Sequence, residues 1–184
     1  MRSLNFKAAT LADLDRIMEL EAAGFDPGHW ETRQVYAQRI EVFPEGSLLA
    51  FHEGESIGCV FCEMWHETSD GPVQAEHFTL GHDILERHDP VHGNTLYIAS
   101  MVLDPALHGR GWSQPLLQGC LAQLASAYPR LRSALLLVNT NWTAARRTYT
   151  AAGFQEVAQF PGFFQPRARP AEDGIVMRSL LLRP

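Results

Sequence analysis

Met101-Val102-Leu103-Asp104-Pro105-Ala106-Leu107-His108-Gly109-Arg110-Gly111-Trp112-Ser113 is the stretch on which the fold turns. An apolar run ends at Leu103, Asp104-Pro105 breaks it, and Gly109 and Gly111 punctuate a short loop. A helix is predicted from Ser113, with Pro115 in its first turn, where no amide partner is required. A glycine-rich turn feeding a helix N-terminus offers several free N–H groups and the positive end of the helix dipole. That combination suits a phosphate or pyrophosphate. The stretch lacks the Lys-Ser/Thr of a P-loop, so nucleotide hydrolysis is not indicated. It also lacks the three-glycine spacing and early position of a dinucleotide fingerprint. Taken alone, it also reads as an ordinary Gly-rich turn.

Working outward, residues 95–103 form a strongly apolar strand before the loop, and residues 113–128 a helix after it. Upstream, residues 4–8 read as a first strand. Thr10-Leu11-Ala12-Asp13 has the form of a capping box with Asp in place of Glu. Leu11, Leu14, Ile17, Met18 and Leu20 then recur at helical spacing up to Gly24. Residues 25–31 are a turn-rich loop with Pro27 and Gly28, and residues 31–42 a second helix stopped by Pro44-Glu45-Gly46. Residues 47–52 and 56–65, joined by Glu53-Gly54, predict a hairpin. Residues 66–93 break the pattern. They are polar, include Asp70-Gly71-Pro72 and hold His66, His77, His82, His88 and His92, so they read as a long loop or insertion with one helical turn.

Downstream come a buried strand at 134–138, a helix at 140–152 closed by Gly153, and a strand at 154–160. A Pro/Gly/Arg loop at 161–174 and a final strand at 175–182 complete the chain. The order β-α-α-β-β-β-α-β-α-β-β predicts an α/β (α+β) architecture. Its centre is a mixed, mostly antiparallel sheet of about seven strands flanked by about four helices. A single domain is expected over residues 1–184.

Composition narrows the function. The chain has 184 residues, 46% hydrophobic, with a formal net charge of −6, which excludes general disorder. Its acidic balance, with Lys7 the only lysine among 15 basic residues, argues against a nucleic-acid partner. No apolar stretch approaches the ~20 residues of a membrane span. The start of the chain has no apolar signal core, so a cytoplasmic address and no membrane partner are expected. Cys59 and Cys62 form a lone C-x-x-C in a strand-like run, where residues three apart face opposite sides, and Cys120 is remote. Buried thiols rather than a zinc site are expected. The histidine spacings are irregular, so no metal is expected.

The loop His108-Gly109-Arg110-Gly111-Trp112-Ser113, preceded by Asp104-Pro105, resembles motif A of the GNAT (GCN5-related) N-acetyltransferase superfamily, which reads Gln/Arg-x-x-Gly-x-Gly/Ala. His108 replaces Gln/Arg and Ser113 replaces Gly/Ala; neither change removes a backbone N–H. Lys7-Ala8-Ala9-Thr10-Leu11-Ala12-Asp13 resembles the family's opening. Ala145-Arg146-Arg147-Thr148-Tyr149-Thr150-Ala151-Ala152-Gly153-Phe154 resembles motif B, and Ile175-Val176-Met177-Arg178 the closing strand. Asn141 stands one residue early for the Asn that opens the motif B helix. The layout is most similar to the arylalkylamine acetyltransferase branch, but Tyr97 and Ala99 stand where that branch has its two histidines.

The resemblance implies acetyl-CoA as co-substrate and an N-acetyltransferase acting on a small-molecule amine. Tyr149 stands where the family places the acid that protonates the leaving thiolate. Met101, Val102 and Leu103 are expected to hold the pantetheine as a strand edge. His108, Gly109, Arg110, Gly111, Trp112 and Ser113 would hold the pyrophosphate, with Asn141 beside them. Trp112 has two readings, packing under the loop or lying along the adenosine. Candidates for the base are Glu63, Tyr97 and the histidines of residues 66–93. Trp30 and Trp65, with Tyr97, suggest an aromatic-lined, acidic cleft for a cationic substrate. Acetylation of a protein or peptide, or CoA sensing without catalysis, are the other readings. A monomer or homodimer is expected.

Overall fold

Alternating apolar residues pair into one seven-stranded sheet. The structure, a computed structural model, describes residues 3–67, 71–166 and 169–181. Along the chain come β1 (Asn5–Ala8), α1 (Leu14–Gly24), α2 (Arg33–Val42), β2 (Ser47–His52), β3 (Glu55–Trp65) and β4 (Thr95–Leu103). α3 (Ser113–Ala127), β5 (Ser133–Asn139), α4 (Thr143–Ala151), β6 (Gln155–Phe164) and β7 (Glu172–Leu180) follow. The spatial order is β1-β2-β3-β4-β5-β7-β6. β4 and β5 are parallel, as a strand–helix–strand crossover requires, and the other neighbours are antiparallel. The expected mixed sheet of seven strands with four principal helices is therefore what forms.

Strand alternation divides the core between two layers. Val60, Cys62 and Met64 of β3 with Leu96, Ile98 and Leu103 of β4 face Leu116, Leu117, Cys120 and Leu124 of α3 and Tyr149 of α4. Cys59, Phe61 and Val102 face Ile17 and Leu20 of α1 and Tyr36 and Ile40 of α2. Cys59 and Cys62 thus lie on opposite faces. All three cysteines are free and buried, with Cys62 Sγ 3.8 Å from Cys120 Sγ. No helix of the described residues is long and apolar enough to cross a membrane.

Several boundaries differ from the sequence reading. Thr32 caps α2, its hydroxyl accepting from Val35 N, so that helix begins at Arg33 rather than 31. α4 begins at Thr143, because Asn139 folds over the preceding turn and accepts from Asn141 N. β6 and β7 extend into the segment read as a loop at 161–174. β6 lies at the sheet edge, where the missing N–H of Pro161 breaks no ladder. Gly162, with φ 63°, sits at a register shift between Phe160 and Phe164. The final strand is described to Leu180; Leu182, Arg167 and Ala168 lie outside the described residues.

The polar segment after β3 is not a detached insertion. Phe78, His82 and Ile84 are buried, and short 3-10 turns form at Ala75–His77 and Ile84–Glu86. Residues 68–70 lie outside the described part.

Candidate functional site

β4 is interrupted at its centre. Ser100 pairs with Phe61 but Cys62 pairs with Ile98, so Ala99 is an extra residue in β4, a bulge. β4 pairs with β5 only from Thr95 opposite Ser133 to Ile98 opposite Leu136. Beyond Ile98 the two parallel strands part, while β4 keeps β3 as its neighbour to Leu103. The Asp104 amide donates to Ile57 O, on the β3 side. Strand alternation then turns the amides of Met101 and Leu103 into the gap, and that of Val102 toward β3. The Val102 side chain is buried among α1 and α2 residues.

The gap opens onto the glycine turn. Gly109 (φ 71°) and Gly111 (φ 78°) both occupy the left-handed region that L side chains resist. A Cβ on Gly109 would meet nothing within 4 Å, so the requirement there is conformational rather than steric. His108 Nε2 lies 3.0 Å from Leu103 O and closes the loop on the strand end. Asp104 Oδ1 accepts from Ala106 N, and its other oxygen pairs with Arg16 of α1 at 2.9 Å. The turn is thereby anchored to both strand and helix. Gly111, Ser113 and Gln114 precede the first helical donor of α3, the Leu116 amide bonded to Trp112 O, so their amides have no partner within the helix. Trp112 takes the packing role: it is buried against His52, ring centroids 4.3 Å apart, rather than laid along the surface for an adenosine. Arg110 is exposed on the turn, and Asn141 is exposed before α4.

On the α1 and α2 side of the gap lies a small cleft lined by Glu21, His29, Glu31, Leu80, Tyr97, Ala99, Ser100 and Trp142, among others. Phe25, His29, Trp142 and Phe164 form an aromatic corner with ring centroids 5.3–5.5 Å apart. Both ring nitrogens of His29 are buried there with no hydrogen-bond partner. Glu21, 1% exposed, accepts from Glu31 N at 2.8 Å and from the Tyr36 hydroxyl at 2.7 Å; that hydroxyl lies 3.1 Å from Ser100 Oγ. Burial pushes the Glu21 carboxyl above its ordinary value, and its two hydrogen bonds offset part of the shift.

Of the residues singled out from sequence, Tyr97 lines this cleft; Glu63, Trp30 and Trp65 do not. Trp30 is exposed and donates its indole N–H to Phe25 O. Trp65 is fully buried and stacks on Tyr97 at 3.9 Å. Glu63, a candidate base near the end of β3, is sealed from solvent. It accepts from Trp65 Nε1 and lies 2.8 Å from His82 Nε2, with Arg39 Nε 3.5 Å away. The segment 75–86, packed over β3, is what covers it. Burial pushes the Tyr97 hydroxyl upward too, so it stays protonated at neutral pH. Tyr149 is buried on the other side of the sheet, near the start of α3, where Gln114 Nε2 donates to Thr148 O. Burial raises its hydroxyl to about 12. Among the described residues no group of three or more His, Cys, Asp or Glu side chains could hold a metal ion.

Glu21, Glu31, His29 and Trp142 were not found by the sequence reading. Glu21 carried a signal: it stands seven residues after Leu14 and four after Ile17, an acid in the apolar register of α1. The others are assembled by loops that no periodicity describes.

The model of the acetyltransferase (GNAT) family matches residues 14–154. The Uncharacterized N-acetyltransferase YkwB of Bacillus subtilis (strain 168) is 29% identical over 108 residues, 56% of this chain and 47% of the relative. The chain therefore spans about half the length of the curated relative it matches. Among solved structures, the GphF GNAT-like decarboxylase in complex with isobutyryl-CoA superposes with a TM-score of 0.77 at 17% identity, over 97% of this chain and 100% of that one. The ribosomal-protein-S18-alanine N-acetyltransferase from Escherichia coli gives 0.70 at 14% identity, over 98% and 96%. At these identities the likeness to solved structures is one of fold.

Proposed function

The chain belongs to the acetyltransferase (GNAT) family, and from that premise we propose that it transfers an acetyl group from acetyl-CoA to the primary amine of a small molecule, by direct attack in a ternary complex. One observation carries this reading: the parting of β4 from β5 beyond Ile98 joins the glycine turn to an acid-lined, aromatic cleft. The Met101 and Leu103 edge suits the pantetheine amides, and the turn from Gly109 to Ser113 suits the pyrophosphate. The thioester would then stand at the gap, between Tyr149 on one side of the sheet and the cleft on the other.

Glu21 is our candidate for the base. A carboxyl with a raised pKa takes a proton from an ammonium more readily than an ordinary one, directly or through water. The freed nitrogen lone pair attacks the acetyl carbonyl carbon, and the tetrahedral oxyanion needs a donor, for which the strand-edge amides are placed. The C–S bond breaks and the thiolate takes its proton from Tyr149. Tyr97 is better cast as cleft wall than as base, since burial holds its proton on.

The acidic, aromatic lining suits a cation. The cleft is small, with Leu80, His29 and Phe164 among its lining, which favours a small acceptor over a protein chain. The arylalkylamine likeness rests on layout alone. Glu21 in the cleft disfavours a purely sensing role. A cytoplasmic address belongs to the proposal, in keeping with three free cysteines. The test is acetyl-CoA with a panel of primary amines, following CoA release. Glu21→Gln is expected to abolish most release while leaving acetyl-CoA affinity intact; full activity of a folded Glu21→Gln would remove it as base.

A further inference from the structure

Behind the acceptor cleft runs a buried ionic chain that acetyl transfer does not itself use. Arg39 of α2, 1% exposed, stands 3.7 Å from Glu31 Oε1 through Nη2 and 3.5 Å from Glu63 Oε1 through Nε. Glu63 Oε2 lies 2.9 Å from the donor Trp65 Nε1 and 2.8 Å from His82 Nε2. On its other side, His82 Nδ1 lies 3.0 Å from Thr79 O.

The protonation of His82 follows from its neighbours. A carbonyl oxygen has no proton to give, so Nδ1 must donate to Thr79. The proton on the Glu63–His82 bond could sit on either partner. Arg39 beside Glu63 favours the carboxylate, which leaves the proton on Nε2. His82 is then an imidazolium donating from both nitrogens. The chain closes in charge, with two acids against Arg39 and His82, as a buried set must.

His82 sits inside a turn that makes one wall of the cleft. Leu80 lines the cleft, and Gly81, at φ 68°, donates its N–H to Glu31 Oε1 at 3.2 Å. Asp83 Oδ1 accepts from Gln38 Nε2 of α2 at 2.7 Å. Residues 79–83 are thus tied to the loop before α2, to β3 and to α2 by successive residues.

We infer that His82 is a positioning residue for the acceptor: as an imidazolium bridging Thr79 O and Glu63, it fixes the 79–83 turn so that Leu80 and Glu31 hold their places in the cleft wall. The inference rests on the acetyl-transfer reading for its kinetic consequence, but not for its structural one. The groups facing the imidazole are Glu63 and Trp65 of β3, Arg39 of α2, Tyr97 of β4, and Asp83 on its own turn. Burial and Arg39 lower its pKa, while the hydrogen bond and charge of Glu63 and the bond to Thr79 raise it, and the net shift is upward. Above that raised pKa the neutral ring can keep only one of its two bonds as donor, and the turn loosens.

The test is ring-nitrogen NMR on the full protein labelled with ¹⁵N-histidine, the His82 signals being those absent from His82→Gln. The expected result is two protonated ring nitrogens that persist to a pH above the ordinary value near ~6.5. Over the same pH range in the wild type, the Gly81 amide should lose its exchange protection. With phenethylamine as the probe acceptor, KM should rise about tenfold in His82→Gln, the weight of one hydrogen bond to a charged group. The KM for acetyl-CoA should stay unchanged. A His82 that loses its second ring proton at or below that ordinary value, or Gly81 protection indifferent to its titration, overturns the inference, and so does an unchanged amine KM. If no amine in a panel is acetylated, the acetyl-transfer reading fails, while the wild-type NMR titration still decides the wall.

Discussion

Tyr149 and Glu21 stand on opposite sides of the sheet, and burial acts on both in the same direction. It holds a proton on the phenol, raised to about 12, and raises the carboxyl. In the proposed reaction one would serve as the proton donor and the other as a base stronger than an ordinary carboxylate. Tyr149→Phe keeps the ring volume and removes the proton, so single-turnover acetyl transfer should fall ~10²–10⁴-fold with little change in acetyl-CoA affinity. A near-normal single-turnover rate would make Tyr149 a packing residue. For Glu21 the sign is set by its raised pKa: the carboxylate is present only above that value. The acidic limb of kcat/KM should therefore lie above the range of an ordinary Glu and vanish in Glu21→Gln. Tyr149 was singled out through the likeness of Ala145–Phe154 to motif B, and the structure places it buried on α4. The burial of Glu63 was not legible, because residues 75–86 impose it by folding over β3 from a stretch without period.

Elements set by local chemistry were the readable ones. Glu53 at φ 52° and Gly54 at φ 88° make the expected two-residue hairpin turn, and β4 runs over the residues expected of it. The bulge at Ala99 was not readable, because it is a matter of register between strands and leaves the apolar pattern of each intact. Gly111→Pro should weaken acetyl-CoA binding by at least ~1–3 kcal/mol, by removing an N–H and a φ that proline cannot reach. Titration calorimetry on the folded variant checks this, and unchanged affinity would move the site. Gly24, the last residue of α1, poses a different demand. A Cβ there would lie 2.6 Å from Val102 Cγ1 on β4. Alanine gains at most ~1 kcal/mol of helix propensity and overpacking costs ~1–3, so Gly24→Ala should lower stability in a urea titration. A stabilised variant would show that α1 can slide away from β4.

At the largest scale the described residues form one sheet whose interrupted centre is the candidate site. Five of the six strand pairings are antiparallel, and the one parallel pair is where the sheet parts. A ligand filling that gap binds the folded chain alone, so acetyl-CoA at 100 times its Kd should add ~2.7 kcal/mol to stability. A thermal melt should move up by several degrees, and the shift should disappear in Gly111→Pro. The most direct measurement counts products. Purified protein, acetyl-CoA and a panel of primary amines are incubated, and released CoA and acetylated amine are quantified in the same sample. Equal amounts of the two are expected, with both lost in Gly111→Pro. Release of CoA without an acetylated amine, or no binding of acetyl-CoA by the folded protein, would contradict acetyl transfer at this gap.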